Sequence, residues 1–469
     1  MTVEKMQRLS GFDASLLQLE TPDVPMNVAG AIEIDTSTMK GGYNFERFRE
    51  GMRAQVNAIP ELRAKLADSP WNLDTPVWVE DEHFNIDNHV RRAEIPPPGT
   101  RHEISDLAGA LIAAPMDRSL PLWRMWVLEG VAGVKPEDGG RVVVLFVIQH
   151  SIMDGTSGPA IWLQLSSDQV DAPAPEPIAG FPNVRRRQIA LDGLRRFALR
   201  PWFLITKVLP AHFRVASDTI RRFASGRAMP RTFTAPKVLF NGKVFGPRTV
   251  GYAKLDLAKV KTVKNWFGVT VNDVALAVVS GAARKYLLDR GALPHTSLIA
   301  MAPVGVFEGA DDMGRNNLTA MFTALHTNIA DPAHRLKAIA ETTSVGKEHS
   351  SAKRRTLLQD WANYVAPGVI GAFVALYMGS RLAERRPPYN LSISNVPLSP
   401  IQRYLQGGKI IAMYPLGPPF NGVGLNVSMM SLNGSLDIGL VGCAHLLPDM
   451  WDLADALPAV LEELVAAAK

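Results

Sequence analysis

Residues 149–155 read QHSIMDG and follow the apolar run RVVVLFVI at 141–148. An imidazole is the side chain best suited to take up a proton near pH 7. His150 stands where a buried strand should end and a loop carrying Asp154 and Gly155 should begin. Strand ends that open into loops are common places for reactive groups. Taken alone, the HxxxDG pattern has an ordinary alternative, a core histidine satisfied by a backbone partner. The rest of the chain has to decide between them.

Several elements would position this loop. Before it, residues 29–35, 76–80, 123–130 and 141–149 have strand character, and residues 45–59 and 105–116 have helical spacing. The stretch VDAPAPEPIAGFPN, 170–183, is rich in Pro and Ala and reads as a linker. Beyond it, residues 257–268 form a helix stopped by Gly268, and residues 270–291 form a second. Thr270 and Asp273 make a capping-box signature that puts Asn272 in the first turn of that second helix. Residues 296–306 and 319–327 read as strands, Asn433-Gly434 as a hairpin turn, and the chain closes on a helix. Both halves are thus mixed α/β. The expected division is an N-terminal domain over 1–175, a basic linker region over 176–240 and a C-terminal domain over 241–469.

With 469 residues, 47% of them hydrophobic, the chain is long enough for two domains of ordinary size. Cys443 is the only cysteine, which excludes an intrachain disulfide and any zinc or iron–sulfur site built from cysteines. No metal is expected. The net charge of +5 conceals an asymmetry, since residues 185–248 hold fifteen Lys or Arg against Asp192 and Asp218. Trp202, Phe203, Leu204, Ile205, Val208, Leu209, Phe213 and Phe223 are interleaved with those charges. That mixture suits a membrane surface better than a nucleic-acid groove, with a solvated linker as the alternative. Nucleic-acid binding is not expected.

Residues 361–380 are twenty consecutive uncharged residues with basic residues on both sides. Asn363, Pro367, Gly368 and Gly371 interrupt them, so a buried or membrane-dipping helix is expected rather than a span. The start, MTVEKMQRLSGFD, lacks a basic region followed by an apolar stretch. A cytoplasmic protein is expected.

Six ordered segments supply the context for His150. They are LSGFDASLLQLETPDVPMNVAG (9–30), FNIDNHVRR (84–92), PLW (121–123), the HxxxDG element (150–155), TVNDVALA (270–277) and SNVP (394–397). In these segments the chain resembles the bacterial wax ester synthase/acyl-CoA:diacylglycerol acyltransferase family. The resemblance implies two chloramphenicol-acetyltransferase-like domains with the active-site channel between them. It also implies acyl-CoA as co-substrate without a further cofactor, and diacylglycerol or a long-chain alcohol as acceptor. Peripheral attachment to the inner face of the membrane or to lipid droplets would follow.

The family pattern is usually HHxxxDG, and here Gln149 stands at the first histidine. In related coenzyme-A-dependent acyltransferases the histidine directly before xxxDG is the catalytic one, so His150 is expected to be the base. It would deprotonate the acceptor hydroxyl as that oxygen attacks the thioester, then protonate the departing thiolate. Asp154 either orients His150 or fixes the loop, and Gly155 permits close backbone approach. Asn272 either supplies an oxyanion donor or caps its helix. Gln149, Pro121, Leu122, Trp123, Asp273, Ser394 and Asn395 are the candidate substrate-binding residues. The alternative for Asp273 is a cap carboxylate, and for Ser394 and Asn395 simple turn chemistry. Two rival readings remain: a lipid-binding or lipid-droplet protein that lost turnover, and an enzyme that acylates a specialised alcohol from a carrier-protein thioester.

Overall fold

The computed structural model describes residues 6–153, 157–210, 233–305, 318–349 and 364–468. Two six-stranded sheets organise it. The first has the order β11-β12-β1-β6-β5-β4, where β1 is Asn27–Asp35, β4 Val90–Glu94, β5 Trp123–Glu129, β6 Arg141–Gln149, β11 Tyr404–Leu405 and β12 Gly408–Leu416. A small ribbon of β2 (Ala64–Ala67) and β3 (Val77–Glu80) stands beside it. Strand β6 explains its own sequence. Val142, Val144, Phe146 and Ile148 enter one core while Val143, Leu145 and Val147 enter another, so both faces are buried and the run is apolar throughout. β1 pairs antiparallel with it, in a register that sets Asn27 opposite Gln149.

The second sheet has the order β7-β14-β13-β10-β8-β9, with β7 at Arg248–Asp256, β8 Ile299–Gly305, β9 Leu318–Ala324, β10 Leu391–Ser399, β13 Leu425–Leu432 and β14 Ser435–Cys443. β13 and β14 form the expected hairpin, with φ of 43° at Asn433 and 81° at Gly434 as a two-residue mirror-image turn requires. The helices Val271–Asp289 and Met450–Ala467 pack together and supply much of this sheet's core. The preceding helix Leu257–Phe267 ends at Gly268, whose φ of 66° makes it the expected left-handed stop.

The two halves exchange chain. Residues 404–416, placed in the second domain by sequence, supply β11 and β12 to the edge of the first sheet. β12 suits that place because Ile410 and Met413 face one core of the first sheet and Ala412, Tyr414 and Leu416 the other. Its Met413 amide also donates to Oδ2 of the buried Asp437 on β14 at 2.8 Å. Gly439 allows the sheets to touch, since a Cβ there would lie 2.1 Å from the Pro415 carbonyl oxygen.

Three local expectations are corrected. The helix expected over 105–116 spans Arg101–Ala113, because Thr100 and Glu103 form a capping box at its start. Ser394 and Asn395 lie within β10 rather than in a turn. The apolar run at 361–380 yields the helix Pro367–Ser380, whose residues are mostly exposed or half-buried, so it is not a buried helix. No single described helix is long and apolar enough to cross a membrane.

The basic region over 176–240 is described as far as residue 210 and again from 233. Its first part is docked on the first half rather than solvated. Phe181 stacks on Trp78, and Arg196 and Arg200 of the helix Arg186–Phe203 bind the buried carboxylate of Asp74 at 2.5 and 2.6 Å. Arg8 adds a bond to Asp192 at 2.8 Å. The buried Asp74 charge is therefore paired, which removes most of its desolvation penalty.

Candidate active site

β6 ends at Gln149, and His150–Ile152 turn away as one 3₁₀ turn. Four backbone and side-chain bonds hold that turn. The His150 amide donates to the Met26 carbonyl at 2.7 Å and the Gln149 amide to the Leu122 carbonyl at 2.9 Å. Gln149 Nε2 donates to Glu20 Oε2 at 2.9 Å, while its Oε1 accepts from the Ser151 amide at 2.5 Å. Glu20 Oε2 in turn accepts from the Met26 amide at 3.3 Å, which closes a ring of contacts around the histidine. Gln149 is buried and both ends of its amide are used inside the protein, so it builds the turn rather than meeting substrate.

The His150 ring is treated differently. Its Nδ1 is buried and has no hydrogen-bond partner among the described residues. Burial pushes the imidazole below its ordinary pKa, and its own backbone carbonyl opposes that shift only in part. Burial thus favours the neutral imidazole, the form that can accept a proton. Ser151 Oγ and Asn27 Oδ1 are also buried and unpartnered among the described residues, and both belong to this end of the β1/β6 pair. Uncommitted buried polar atoms are uncommon in folded proteins, and three of the twelve among the described residues lie at this strand end. The core-histidine alternative required a bonded ring, and no hydrogen-bond partner for Nδ1 lies among the described residues.

The surrounding residues form a rigid base. Pro121, Leu122 and Trp123 are all buried. Trp123 Nε1 donates to the Leu62 carbonyl at 2.6 Å, and its ring stacks on His89 at 4.5 Å. His89 Nδ1 bonds the Trp123 carbonyl at 2.8 Å, which makes it the satisfied core histidine of this molecule. These residues are engaged within the core and support β5 and β6. Asn27 Nδ2 donates to the Ile112 and Ala114 carbonyls at 2.9 and 3.0 Å, tying the end of the Arg101–Ala113 helix to the start of β1. The helix Gly11–Leu19 packs directly against the His150 turn.

The second half presents its candidates from another layer. Asp273 is buried and fully engaged: Oδ2 accepts from the Thr270 amide and hydroxyl at 2.9 and 2.7 Å, and Oδ1 accepts from Thr343 Oγ1 at 2.6 Å. It is a cap and an anchor, so the substrate-contact expectation is not met. Asn272 is half-buried in the same turn, and its side chain has no hydrogen-bond partner among the described residues. Ser394 and Asn395 are half-buried on β10, opposite Ser428 and Met429 of β13. On its other edge β10 is paired with β8 only at Leu391 and Ser392, so the two strands part just before Ser394. The helix Ser157–Leu165, which follows the HxxxDG segment, packs against β10. Its Trp162 lies flat on β1 because residue 30 is glycine; a Cβ there would sit 2.6 Å from the indole.

Asp154 and Gly155 lie outside the described residues. Among the described residues no group of three or more His, Cys, Asp or Glu side chains converges as a metal ion would need. Glu20, Met26 and Asn27 were not singled out from sequence, although all three lie in the first of the six segments. The signal that could have found Glu20 was Gln149 itself, a buried amide that needs a partner.

Comparison with known proteins places this geometry. The model of the wax ester synthase/diacylglycerol acyltransferase catalytic domain matches residues 9–275, and that of the family's C-terminal domain matches residues 315–465. A protein of Mycobacterium tuberculosis provisionally named a diacylglycerol O-acyltransferase is 43% identical over 460 residues, covering 98% of this chain and 90% of the relative. A second protein of that species with a similar name is 30% identical over 465 residues, 96% of this chain and 97% of the relative. Among solved structures, the wax ester synthase/diacylglycerol acyltransferase from Marinobacter aquaeolei VT8 superposes with a TM-score of 0.70 at 26% identity, covering 99% of this chain and 100% of that one. The first condensation domain of the calcium-dependent antibiotic synthetase shares the fold, with a TM-score of 0.60 at 14% identity over 99% of this chain and 97% of that one. The two-half architecture is thus the condensation-domain, chloramphenicol-acetyltransferase-like fold. With family matches across both halves and an HxxxDG histidine held at a strand end, the chain belongs to the wax ester synthase/diacylglycerol acyltransferase family and is an acyltransferase.

Proposed function

We propose that the chain moves an acyl group from acyl-CoA to the hydroxyl of diacylglycerol or of a long-chain alcohol, with His150 as the general base. The observation that carries this reading is the His150 ring at the end of β6, its pKa lowered by desolvation and its buried Nδ1 without a partner among the described residues. The imidazole takes the hydroxyl proton as the alcohol oxygen bonds to the thioester carbonyl carbon. The tetrahedral intermediate then collapses, the carbon–sulfur bond breaks, and the imidazolium returns its proton to the CoA thiolate. Each proton has a donor and an acceptor, so no acyl-enzyme and no further cofactor are needed. General-base help of this kind contributes about 10²–10⁴-fold in rate. Asn272 is assigned to the oxyanion, since its amide is unengaged and it sits at the amino end of the helix Val271–Asp289. Ser394 and Asn395 are assigned to the wall of the substrate channel, where β10 parts from β8.

Donor and acceptor are tested together. Palmitoyl-CoA and palmitoyl thioester on an acyl carrier protein are each offered with diacylglycerol and with hexadecanol, and ester formation is followed by radiolabel. Ester from the CoA donor with either alcohol is the expected result. Ester from the carrier thioester alone would replace CoA as the donor, and no ester in any combination would overturn the reading.

A further inference from the structure

A cleft of about 180 Å³ lies between the two sheets. Val143 of β6 and Tyr414 of β12 line it from the first sheet, and Tyr252 of β7 lines it from the second. Arg101 and Ile104 of the helix Arg101–Ala113 complete the wall. One end is closed because residue 99 is glycine: a Cβ there would lie 2.1 Å from the Gly130 carbonyl oxygen, and the Ala132 amide donates to the Gly99 carbonyl at 2.7 Å. The turn Val131–Gly133 is thereby held against the start of the helix. The cleft is remote from the catalytic turn. The helix begins at the cleft and ends where the Ile112 and Ala114 carbonyls accept from Asn27, the strand partner of Gln149. At 1.5 Å per residue that is about 18 Å away.

The lining decides what the cleft can hold. Ala31, Ile104 and Val143 are buried members of the core shared by the two halves, so the floor is apolar. The Tyr252 and Tyr414 rings stack at 4.5 Å, and Trp451 meets Tyr252 edge-on at 5.0 Å. Neither phenol hydroxyl has a hydrogen-bond partner among the described residues, although Tyr414 is only 8% exposed. Burial pushes both phenols above their ordinary pKa, so both stay protonated and able to donate. Buried polar groups are nearly always bonded, and two open donors in one cleft suit an acceptor that enters from outside the chain. The charged groups at the rim are already paired: Glu33 with Arg141 at 2.7 Å, and Arg101 Nη1 and Nη2 with the Asp455 carboxylate at 2.7 and 2.8 Å. An ion entering the cleft would lose its water without gaining a counter-charge, which selects a neutral molecule. Size narrows the class further, since a cavity of about 150 Å³ accommodates benzene.

We propose that this cleft is a second, non-catalytic binding site for a small neutral ring compound with one carbonyl or hydroxyl oxygen. The ring packs against Ile104 and Val143, and the oxygen accepts from the Tyr252 and Tyr414 hydroxyls. Because the walls come from both sheets, the bound molecule bridges the two halves. The site stands independently of the acyltransfer reading above.

The test uses the full chain and follows para-fluoroacetophenone by fluorine NMR, with para-fluorobenzoate as a charged counterpart of similar size. The ketone has no hydroxyl to be acylated, so it reports binding alone. It should bind the parent saturably at about millimolar concentrations and raise the melting temperature as it saturates. The benzoate should bind about tenfold or more weakly. The double variant Tyr252→Phe, Tyr414→Phe keeps both rings and removes both hydroxyls, and it should lose about five- to tenfold in ketone affinity. Ala31→Leu fills the cleft and should abolish saturable binding. Because added bulk can disturb folding, the double variant is the deciding one, with circular dichroism to show that it is folded. Absence of saturable ketone binding to the parent would overturn the proposal. So would equal affinity for ketone and benzoate, or undiminished affinity in the folded double variant, which would place the probe elsewhere in the molecule.

Discussion

The His150 turn and the helix Pro367–Ser380 both pack on the helix Gly11–Leu19, yet they are built on contrary rules. Around His150 the chain commits nearly every polar group: the Gln149 amide is used at both ends, Glu20 accepts twice, and the backbone of the turn is tied to Met26 and Leu122. Nδ1 of the reactive ring is left uncommitted among the described residues, together with Ser151 Oγ and Asn27 Oδ1. On Pro367–Ser380 the outer face makes no such commitments, and its largest side chains point into solvent. Chemistry at a fixed point requires atoms held to fractions of an ångström, whereas side chains that point into solvent are under no such constraint. One region should therefore be intolerant of change and the other tolerant.

The contrast can be broken first at its rigid side. Trp123→Ala removes a fully buried indole, its bond to Leu62 and its stack on His89. Large-to-small changes of this kind cost about 3–5 kcal/mol, which denaturant unfolding would register as a large drop in midpoint. Gln149→Leu should be smaller. It keeps the volume but strands the Ser151 amide and one Glu20 contact, at a cost of about 1–3 kcal/mol for buried groups left unpaired. Because the turn also carries the base, kcat should fall while KM for the acyl donor stays within a fewfold. A loss confined to KM would mean that Gln149 touches substrate after all.

The pH dependence sharpens the same point. Burial disfavours the imidazolium, so the folded His150 pKa lies below its ordinary value of about 6.5. The active form is the neutral ring, so kcat/KM should rise with pH through that lowered pKa and level off above it. An acid limb centred above 6.5 would contradict the burial argument. The smallest expected effect belongs to the open side: Phe373→Ser should change stability by no more than about 0.5 kcal/mol, as exposed positions usually do.

Much of the site was legible from local pattern. The uninterrupted apolar run of β6 located His150 at a strand end, and the Thr270/Asp273 spacing located Asn272 in a first helical turn, because both signals are carried by neighbours in sequence. What escaped was non-local. Glu20 meets Gln149 across a separation of 129 residues, and nothing in either stretch names the other. The placement of β12 in the first sheet is equally invisible, since GKIIAMYPL would suit an edge in either half. Asp273 shows the reverse error. Its capping role was readable, and the bond to Thr343 that completes its engagement was not. Three letters of sequence also give no sign of how deeply Pro121, Leu122 and Trp123 are buried.

The claim that His150 is the base can be tested by CoA release from palmitoyl-CoA, measured with diacylglycerol or hexadecanol for the parent and for His150→Ala after circular dichroism has shown both to be folded. Acceptor-dependent release in the parent that drops about 10²–10⁴-fold in the variant is the predicted result. Release that persists undiminished in the folded variant would show that another group takes the proton.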